Sequence, residues 1–305
     1  MRVIFLGTPD FALPPLRALC AAHEVVAVVT QPDKAGNRGS LAVPPVKEFA
    51  RERGLPVYQF AKIRTDGAEV LRSLMPDVMV TAAYGQILSR EIIDIPKHGI
   101  LNIHASLLPK YRGSSPIQWA IINGETETGV TIMRTEEGLD CGDILLQKKI
   151  DIAGGETAES VFDRLSQLGA QAIVEALSLI ESGNAEYRKQ DATAATYFPM
   201  LKKADGKIDW SDSAKNIRNK VRGMSSWPVA FAVFGGKTVK IHSAEISDTG
   251  AGGNVGEVVG SNKEILVKCG AGALSLCVLQ AEGKRKMSAA DFLNGTRIKL
   301  GDRFE

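Results

Sequence analysis

Residues 98–143 read HGILNIHASLLPKYRGSSPIQWAIINGETETGVTIMRTEEGLDCGD. The β-rich run Ile100–His104 predicts a strand, and because side chains alternate between the two faces of a strand, Asn102 and His104 project to the same side. Asp140 follows in a connection rich in Gly and Asp, which predicts a loop between two further strands. An amide and an imidazole on one face, with a carboxylate able to approach them, are suited to polarising a carbonyl group and stabilising the oxyanion formed from it.

The residues in front of this stretch alternate between strand and helix patterns. Such alternation predicts an α/β, Rossmann-like domain with a mostly parallel sheet covered on both faces. Within the stretch, Ser115 and Pro116 predict the N-cap and first turn of a helix that stops near Gly124. The predicted strands are 3–6, 25–30, 57–60, 78–83 and 100–104, and the predicted helices are 45–53, 68–75 and 89–93.

After this stretch, the predicted type of structure changes twice along the chain. Strands are predicted at 130–133 and 144–149, followed by a long amphipathic helix from Glu156 to about Ser182. A polar, aromatic stretch without periodicity then predicts a linker across the surface, and short strands with Gly-rich turns predict a small β-barrel. We therefore divide the chain into a catalytic domain at 1–188, a linker at 189–207 and a C-terminal β-barrel domain at 208–305.

Composition and charge narrow the class of protein. Its 305 residues suit two domains, and residues 201–305 carry 17 Lys and Arg against 11 Asp and Glu, a net charge of +6, while residues 1–200 carry −4. The basic part suits a polyanionic partner or a solvated surface, and charge alone favours neither. No run approaches ~20 apolar residues, which excludes a membrane span, and the first residues are interpreted as a strand and not a signal peptide. The four cysteines show no disulfide or CxxC pattern, which indicates the reducing cytoplasm.

Other chemistries fit the sequence less well. The GTPDFA of residues 7–12 lacks the GxGxxG pattern of dinucleotide sites. Cys141 has no base paired with it in the sequence, so an inert thiol is the simpler interpretation. His104, Asp140 and Asp143 match no usual zinc spacing, and no metal is predicted. The three remaining histidines have no suggestive neighbours.

The motifs themselves resemble a known family. NIHASLLPKYRGSSPIQWAIINGETETGVTIM with EEGLDCGDIL resembles the folate-dependent formyltransferases. FLGTPDFA at the start, TQPD at 30–33, AYGQIL at 83–88, KIDW at 207–210 and the closing FLNG resemble the members that act on a charged tRNA. The resemblance covers essentially the whole chain.

The resemblance implies transfer of a formyl group from the co-substrate 10-formyltetrahydrofolate to the free amine of initiator methionyl-tRNA. Asn102 and His104 match the family's catalytic pair and would donate hydrogen bonds to the oxyanion. Asp140 would orient His104 and help a water molecule carry a proton from the attacking amine to N10. The implied folate contacts are Ser106, Leu107, Leu108 and Pro109. The backbone around Gln86, Ile87 and Leu88 and around Leu139 to Asp143 would line the pterin slot.

The resemblance also assigns partners to the basic regions. The family's C-terminal domain is an oligonucleotide-fold-like barrel with a positive face toward tRNA, which here would include Lys284, Arg285 and Lys286. A loop at residues 34–47 would approach the acceptor end through Lys34, Arg38 and Lys47, with Arg38 as the main candidate. The implied protein is a monomer that binds no membrane.

Two rival functions stay open from the sequence. A formyltransferase acting on the amine of a nucleotide-linked amino sugar shares the Asn-x-His-x-Ser-Leu-Leu-Pro element. A tRNA-binding module with an inactive site would keep the basic domain without the chemistry, although it leaves Asn102, His104 and Asp140 unexplained.

Overall fold

The computed structural model describes residues 1–35, 41–248, 252–260 and 264–305. The chain divides into two compact units. The first contains residues 1–113, 127–150 and 162–198, and the second contains residues 114–126, 151–161 and 199–305. Arg38 lies outside the described residues.

A seven-stranded sheet in the described part of the chain forms the centre of the first unit. Its strands are β1 (Arg2–Gly7), β2 (Glu24–Thr30), β5 (Val57–Gln59), β6 (Val78–Ala82), β7 (Ile100–His104), β9 (Glu127–Arg134) and β10 (Ile144–Asp151). They lie in the order β10-β9-β7-β6-β1-β2-β5. Each neighbouring pair among β5, β2, β1, β6 and β7 is parallel, and β9 is antiparallel to β7. The predicted mostly parallel, Rossmann-like sheet is therefore confirmed.

The remaining elements of this region connect the strands. The predicted helices are present with ends shifted by one or two residues, because the buried apolar positions set the helix faces more sharply than they set the ends. The helices are α1 (Leu13–Ala22), α2 (Pro45–Glu52), α3 (Ile63–Asp66), α4 (Ala68–Ser73), α5 (Arg90–Ile93) and α7 (Ala158–Glu181). Two short strand pairs are β3 (Lys34–Ala35) with β4 (Leu41–Ala42), and β8 (Arg112–Gly113) with β11 (Tyr197–Phe198).

The strand order reverses between β1 and β6. The chain goes from β1 outward through β2 to β5, and then crosses back to β6 on the other side of β1. In open α/β sheets a crevice forms outside the carboxyl ends of the strands at such a switch point, and ligands bind there. His104 ends β7, the next strand along, so the sheet brings it to this edge.

A curved antiparallel sheet forms the core of the second unit. Its elements are α6 (Pro116–Ile122), α8 (Ala214–Gly223), α9 (Ala289–Gly295), β12 (Phe231–Phe234), β13 (Lys237–Ser247), β14 (Val258–Gly260), β15 (Ile265–Lys268), β16 (Ala273–Ala281) and β17 (Met287–Ser288). The strand order is β12-β13-β16-β15-β14, and β17 pairs with β16. Phe304 bridges Phe234 of β12, and Arg303 bridges Glu257 beside β14, so the last residues connect the two edge strands and close the sheet into the predicted small barrel.

The prediction that Ser115 caps α6 with its side chain is wrong. The helix does begin at Pro116, but Ser115 adopts φ 62° and ψ 38° and its side chain makes no capping hydrogen bond. A capping serine needs extended backbone to reach the second or third N–H of the helix, and the left-handed conformation prevents this. Among the described residues, no helix is both long enough and apolar enough to cross a membrane.

Candidate active site

The amide of Asn102 has a fixed orientation. Asn102 lies in β7 between β6 and β9, and Thr81 of β6 donates a hydrogen bond of 2.9 Å from Oγ1 to the Asn102 Oδ1 atom. A hydroxyl group can donate or accept, and in the orientation that the structure gives this amide the Thr81 hydroxyl donates and Oδ1 accepts. The Nδ2 group of Asn102 has no hydrogen-bond partner among the described residues, so it remains available as a donor.

The ring of His104 is held from the side opposite Asp140. The residue is buried, with 7% of its surface exposed, and its Nε2 atom lies 2.9 Å from the carbonyl oxygen of Tyr111. A carbonyl oxygen can only accept, so Nε2 carries a proton and donates it. The Nδ1 atom lies 3.7 Å from Oδ1 of Asp140, which is beyond hydrogen-bond distance. The carbonyl oxygen of Tyr111 therefore makes the hydrogen bond to the ring, while Asp140, for which the resemblance implies an orienting role, lies at ion-pair distance on the Nδ1 side.

The loop after β9 presents the carboxylate of Asp140. Its Oδ2 atom accepts a 2.8 Å hydrogen bond from the backbone N–H of Gly113, and its backbone has φ 49°, a left-handed conformation unusual for a residue other than glycine. A side chain at Gly113 would collide with the carbonyl oxygen of Phe198, and one at Gly142 would collide with that of Arg134. Close backbone approaches therefore shape the loop on both sides of the carboxylate.

The segment Ser106–Pro109 is held by polar contacts to β9 and β10. Thr131 donates to the carbonyl oxygen of Ser106 at 2.7 Å and accepts from the N–H of Leu108 at 3.1 Å. Gln147 donates to the carbonyl oxygen of Leu108 at 2.9 Å. The buried Ser106 hydroxyl donates to the carbonyl oxygen of Lys110. These bonds fix the main chain of the segment beside His104.

The other residues predicted to contact folate differ in exposure. The side chain of Gln86 is engaged within the protein, since it accepts from the N–H of Ile63 and donates to the carbonyl oxygen of Phe60, both at 2.9 Å. Ile87 and Leu139 are large apolar side chains with 79% and 58% of their surface exposed. Leu88 and Asp143 are half-buried.

The basic residues of the 34–47 region are not equivalent. Lys34 is exposed at the start of the β3–β4 pair. Lys47 is buried, and its ammonium group donates to both carboxylate oxygens of Asp33, at 2.8 and 2.6 Å, and to Gln59 at 2.7 Å. The prediction that Lys47 offers its charge to tRNA is wrong, because the helix face that carries it packs into the core.

The cations at residues 284–286 are exposed. Lys284, Arg285 and Lys286 lie in the turn before β17. Lys240, also exposed, pairs with Gln280 across β13 and β16, and Gln280 donates to the carbonyl oxygen of Lys284. The turn and the strand therefore present positive charge on the same part of the barrel.

Several residues around the site were not predicted. Tyr111, Arg112, Gln190 and Thr196 contact the parts that carry His104 and Asp140. The last two lie more than 75 residues from Tyr111 and Arg112, and they fall in the stretch interpreted as a linker. A polar and aromatic composition in place of the usual Gly, Pro and Ser of a linker was the available signal.

The neighbourhood of Asp140 offers little support for the other chemistries. The Cys141 thiol contacts the carbonyl oxygen of Glu137 at 3.7 Å, and no basic side chain pairs with it in the described part of the chain. No group of three or more His, Cys, Asp and Glu side chains within the described ranges could hold a metal ion.

Comparison with known proteins places this geometry in a family. Residues 1–177 match the family described as formyl transferase, and residues 200–297 match the formyl transferase C-terminal domain. The chain is 47% identical over 99% of its length to a protein of Geobacter sulfurreducens named methionyl-tRNA formyltransferase, covering 96% of that protein. It is 46% identical over its full length to the protein of the same name in Agathobacter rectalis, covering 99% of that protein.

Solved structures share the fold at lower identity. A sugar 3N-formyl transferase, WlaRD, superposes with a TM-score of 0.68 at 20% identity, covering 93% of this chain and 99% of that one. HypX from Aquifex aeolicus, solved with tetrahydrofolic acid, superposes with a TM-score of 0.64 at 18% identity. The match covers 99% of this chain and 50% of the HypX chain. A methionyl-tRNA formyltransferase from Clostridium thermocellum superposes with a TM-score of 0.56 at 18% identity, covering 82% of this chain and 95% of that one. The two domain matches and the identity of 46–47% over the whole chain show that this chain belongs to the formyl transferase family.

Proposed function

We propose that the chain transfers the formyl group of 10-formyltetrahydrofolate to the α-amino group of initiator methionyl-tRNA. The observation that carries the proposal is the grouping of an oriented amide, an oriented imidazole and a carboxylate at one edge of the sheet, in a chain with 46–47% identity over its length to proteins named methionyl-tRNA formyltransferase. The folate carries the formyl group and releases it to an amine. The protein's own residues supply binding, orientation and proton movement.

Asn102 stabilises the charge that develops on the formyl oxygen. Its Nδ2 donor is directed by the Thr81 contact before any substrate arrives. Donors that are already oriented need no reorganisation when the oxyanion forms, and losing one such donor costs about 10²–10³ in rate in comparable sites. Asn102 therefore contributes more in the transition state than in the ground state.

His104 acts through Nδ1. Its Nε2–H is already donated to Tyr111, so a neutral ring offers a lone pair at Nδ1 and only a charged ring offers a second N–H there. In the charged form, Nδ1–H becomes the second donor to the oxyanion. One oxygen of the Asp140 carboxylate lies 3.7 Å from this nitrogen.

Asp140 accepts the proton of the attacking amine and later donates it to N10 of the folate. One of its oxygens accepts the Gly113 N–H and the other faces His104, which leaves a gap that a water molecule can bridge. The carboxylate takes the proton of the amine through this water and returns it to N10 as the bond to the formyl carbon breaks. No covalent bond to the protein forms.

The residues around the sheet edge suit a flat folate ring. Ile87 and Leu139 expose apolar side chains, which are the kind of walls that bind planar heterocycles, and Ser106–Pro109 is a segment of fixed main chain. Because the side chain of Gln86 is engaged within the protein, its backbone and that of Leu88 make the contact. Asp143 completes the slot from the loop after β9.

The two predicted domains have separate tasks. Residues 1–188 perform the chemistry, and residues 208–305 hold tRNA through Lys284, Arg285 and Lys286 by phosphate contacts that position the acceptor stem. Lys34 and Arg38 contribute near the acceptor end. The enzyme acts as a monomer in the cytoplasm, with no metal ion.

The test is a formyl-transfer assay with three acceptors in parallel. Methionylated initiator tRNA, methionylated elongator tRNA and an amino-sugar nucleotide are each offered with 10-formyltetrahydrofolate. The proposal expects transfer to the initiator tRNA in preference to the other two. Activity on the sugar nucleotide alone would overturn the assigned acceptor, and salt-sensitive tRNA binding without transfer would overturn the assigned chemistry.

A further inference from the structure

Residues 188–198 run across the candidate active site, and we call them the crossing segment. They lie outside both family matches, which cover residues 1–177 and 200–297. At one end, Arg188 exchanges two backbone hydrogen bonds of 2.8 Å with Ile144 of β10. At the other end, Tyr197–Phe198 forms a parallel pair with Arg112–Gly113. Both ends of the segment are therefore attached to the unit that contains the site.

The side chain of Gln190 uses all of its strong hydrogen-bonding groups on this site. Its Nε2 group donates to the carbonyl oxygens of Asp140 and Gly142, at 2.9 and 2.8 Å. Its Oε1 atom accepts from Nε and Nη2 of Arg112, at 3.1 and 2.7 Å. One amide thus joins the loop that carries Asp140 to the strand that carries Arg112.

Arg112 depends on this contact. It is buried, with 5% of its surface exposed, and its remaining donor Nη1 bonds the Tyr197 hydroxyl at 2.8 Å. Within the described ranges, no carboxylate lies at ion-pair distance from its guanidinium group. A buried charge without a counter-charge is tolerated only when its donors are satisfied, so the two bonds to Gln190 are needed where they are.

The crossing segment also fixes the position of Tyr111, whose carbonyl oxygen orients His104. Thr196 accepts a 2.8 Å hydrogen bond from the N–H of Tyr111, and the Tyr111 ring stacks on Phe198 with centroids 4.8 Å apart. The carbonyl oxygen of Tyr111 is the acceptor for His104. The segment is therefore the common support for the imidazole and, through Gln190, for the carboxylate.

We infer that Gln190 is a positioning residue of the transfer reaction, which sets the Asp140 carboxylate against His104 by holding the Asp140 loop to Arg112. The inference rests on the proposed function for its kinetic test. Gln190 contacts no reacting atom. Its effect is on geometry, and a displacement of about 1 Å in a catalytic group lowers turnover by about 10²-fold.

Two substitutions separate the two ends of the amide. Gln190→Ala removes both contacts. Gln190→Glu keeps an acceptor for Arg112 and removes the donors to the loop, so it retains the buried partner that folding needs. The matched control is Asp191→Asn, because Asp191 is the exposed neighbour whose side chain accepts from the N–H and the hydroxyl group of Thr193 and whose substitute still offers an amide oxygen.

The kinetic experiment measures kcat and both KM values across pH for the full chain, normalised to the folded fraction. We expect both Gln190 variants to lose about 10²-fold in kcat with KM values changed less than about threefold and an altered pH profile, while Asp191→Asn matches the wild type. Wild-type kcat per folded molecule in Gln190→Glu would overturn the inference. Equal losses in the Asp191 control would also overturn it.

A second measurement needs no substrate and so separates this inference from the proposed function. The Gly113 N–H is protected by the Asp140 carboxylate, and its hydrogen exchange reports whether the loop stays in place. We expect at least tenfold faster exchange at Gly113 in both Gln190 variants and unchanged exchange in Asp191→Asn. Unchanged exchange in the Gln190 variants would overturn the inference, whereas a wild-type protein inactive on methionyl-tRNA would overturn only the proposed function.

Discussion

Thr81 Oγ1 lies 2.9 Å from Asn102 Oδ1 and fixes the amide with its N–H groups directed away from β6. Rotating that amide by half a turn would reverse the bond, so that Nδ2 donates to the Thr81 hydroxyl and is no longer free to bind the formyl oxygen. The orientation of the proposed oxyanion donor therefore depends on one threonine of the neighbouring strand. This relationship can be tested without touching Asn102 itself.

Thr81→Val should lower kcat by about tenfold, because the freed amide samples orientations that do not aim Nδ2 at the formyl oxygen. Steady-state kinetics with saturating folate measure this. Thr81→Ser keeps the hydroxyl group and should stay within about twofold of the wild type. An unchanged kcat in the valine variant would mean that Asn102 needs no help from Thr81.

His104→Ala should lower kcat by two or more orders of magnitude while the affinity for folate changes little, because the ring acts on the charge that forms in the transition state. The comparison is between single-turnover rates and equilibrium folate binding. His98→Ala is the control histidine from the same unit. Turnover near that of the wild type in His104→Ala would remove the residue from the mechanism.

The Asp33–Lys47 contact should make stability fall in acid. The hydrogen bond from Lys47 lowers the pKa of Asp33, followed by that from Gln59. A carboxyl group whose pKa is depressed by folding stabilises the folded state fully at pH values above its pKa in the unfolded chain, roughly 3.9. This stabilisation is lost as the pH falls through the pKa of the group in the folded protein. Thermal melts between pH 6 and pH 2 should show a steeper acid loss in the wild type than in Asp33→Asn. Parallel curves would show that this carboxylate is not linked to folding.

The cysteines should differ in reactivity, and none should be needed for turnover. Burial raises the pKa of Cys269 to about 11, so its thiolate is scarce at pH 8 and alkylation of the native protein should reach it last. Mass spectrometry of iodoacetamide-treated protein gives the order. Cys141→Ala should keep kcat within about threefold, and a loss of a hundredfold would return Cys141 to the set of reacting groups.

Neutralising Lys284, Arg285 and Lys286 together should weaken initiator tRNA binding and flatten its salt dependence, because the slope of log K against log salt falls by about one for each phosphate that the protein no longer neutralises. Filter binding from 50 to 200 mM salt measures both quantities. A control variant that neutralises Arg72, Arg90 and Lys149 changes the net charge equally at exposed positions of the first unit. Equal effects in the two variants would indicate attraction by overall charge alone.

The sequence was most informative where one short pattern determines one element. The run at β7 predicted both the strand and the shared face of Asn102 and His104, because alternation in a strand is a local property. The Gly-rich stretch around Asp140 predicted its loop for the same reason. In both cases the information lies within about ten residues.

The hydrogen bonds that hold the loop of Asp140 and the strand after His104 in place could not be predicted, because they come from distant parts of the chain. Gln190 meets Asp140 across 50 residues and Arg112 across 78, and no periodicity marks either contact. The burial of Lys47, in contrast, has a signal within its own helix. Lys47 lies on the same face of α2 as Val46, Phe49 and Ala50, and a lysine on an apolar face is a signal for a buried ion pair.

The distance along the chain between Asp140 and its support also has a consequence for synthesis. Because a chain emerges from the ribosome from its N-terminus, the loop carrying Asp140 is made 50 residues before Gln190 and 58 before Phe198. Until those residues emerge, the Asp140 loop lacks its two bonds to Gln190 and keeps only contacts such as that of its carboxylate to the Gly113 N–H. The strands of the first unit's sheet are thus all made before the residues that complete the site.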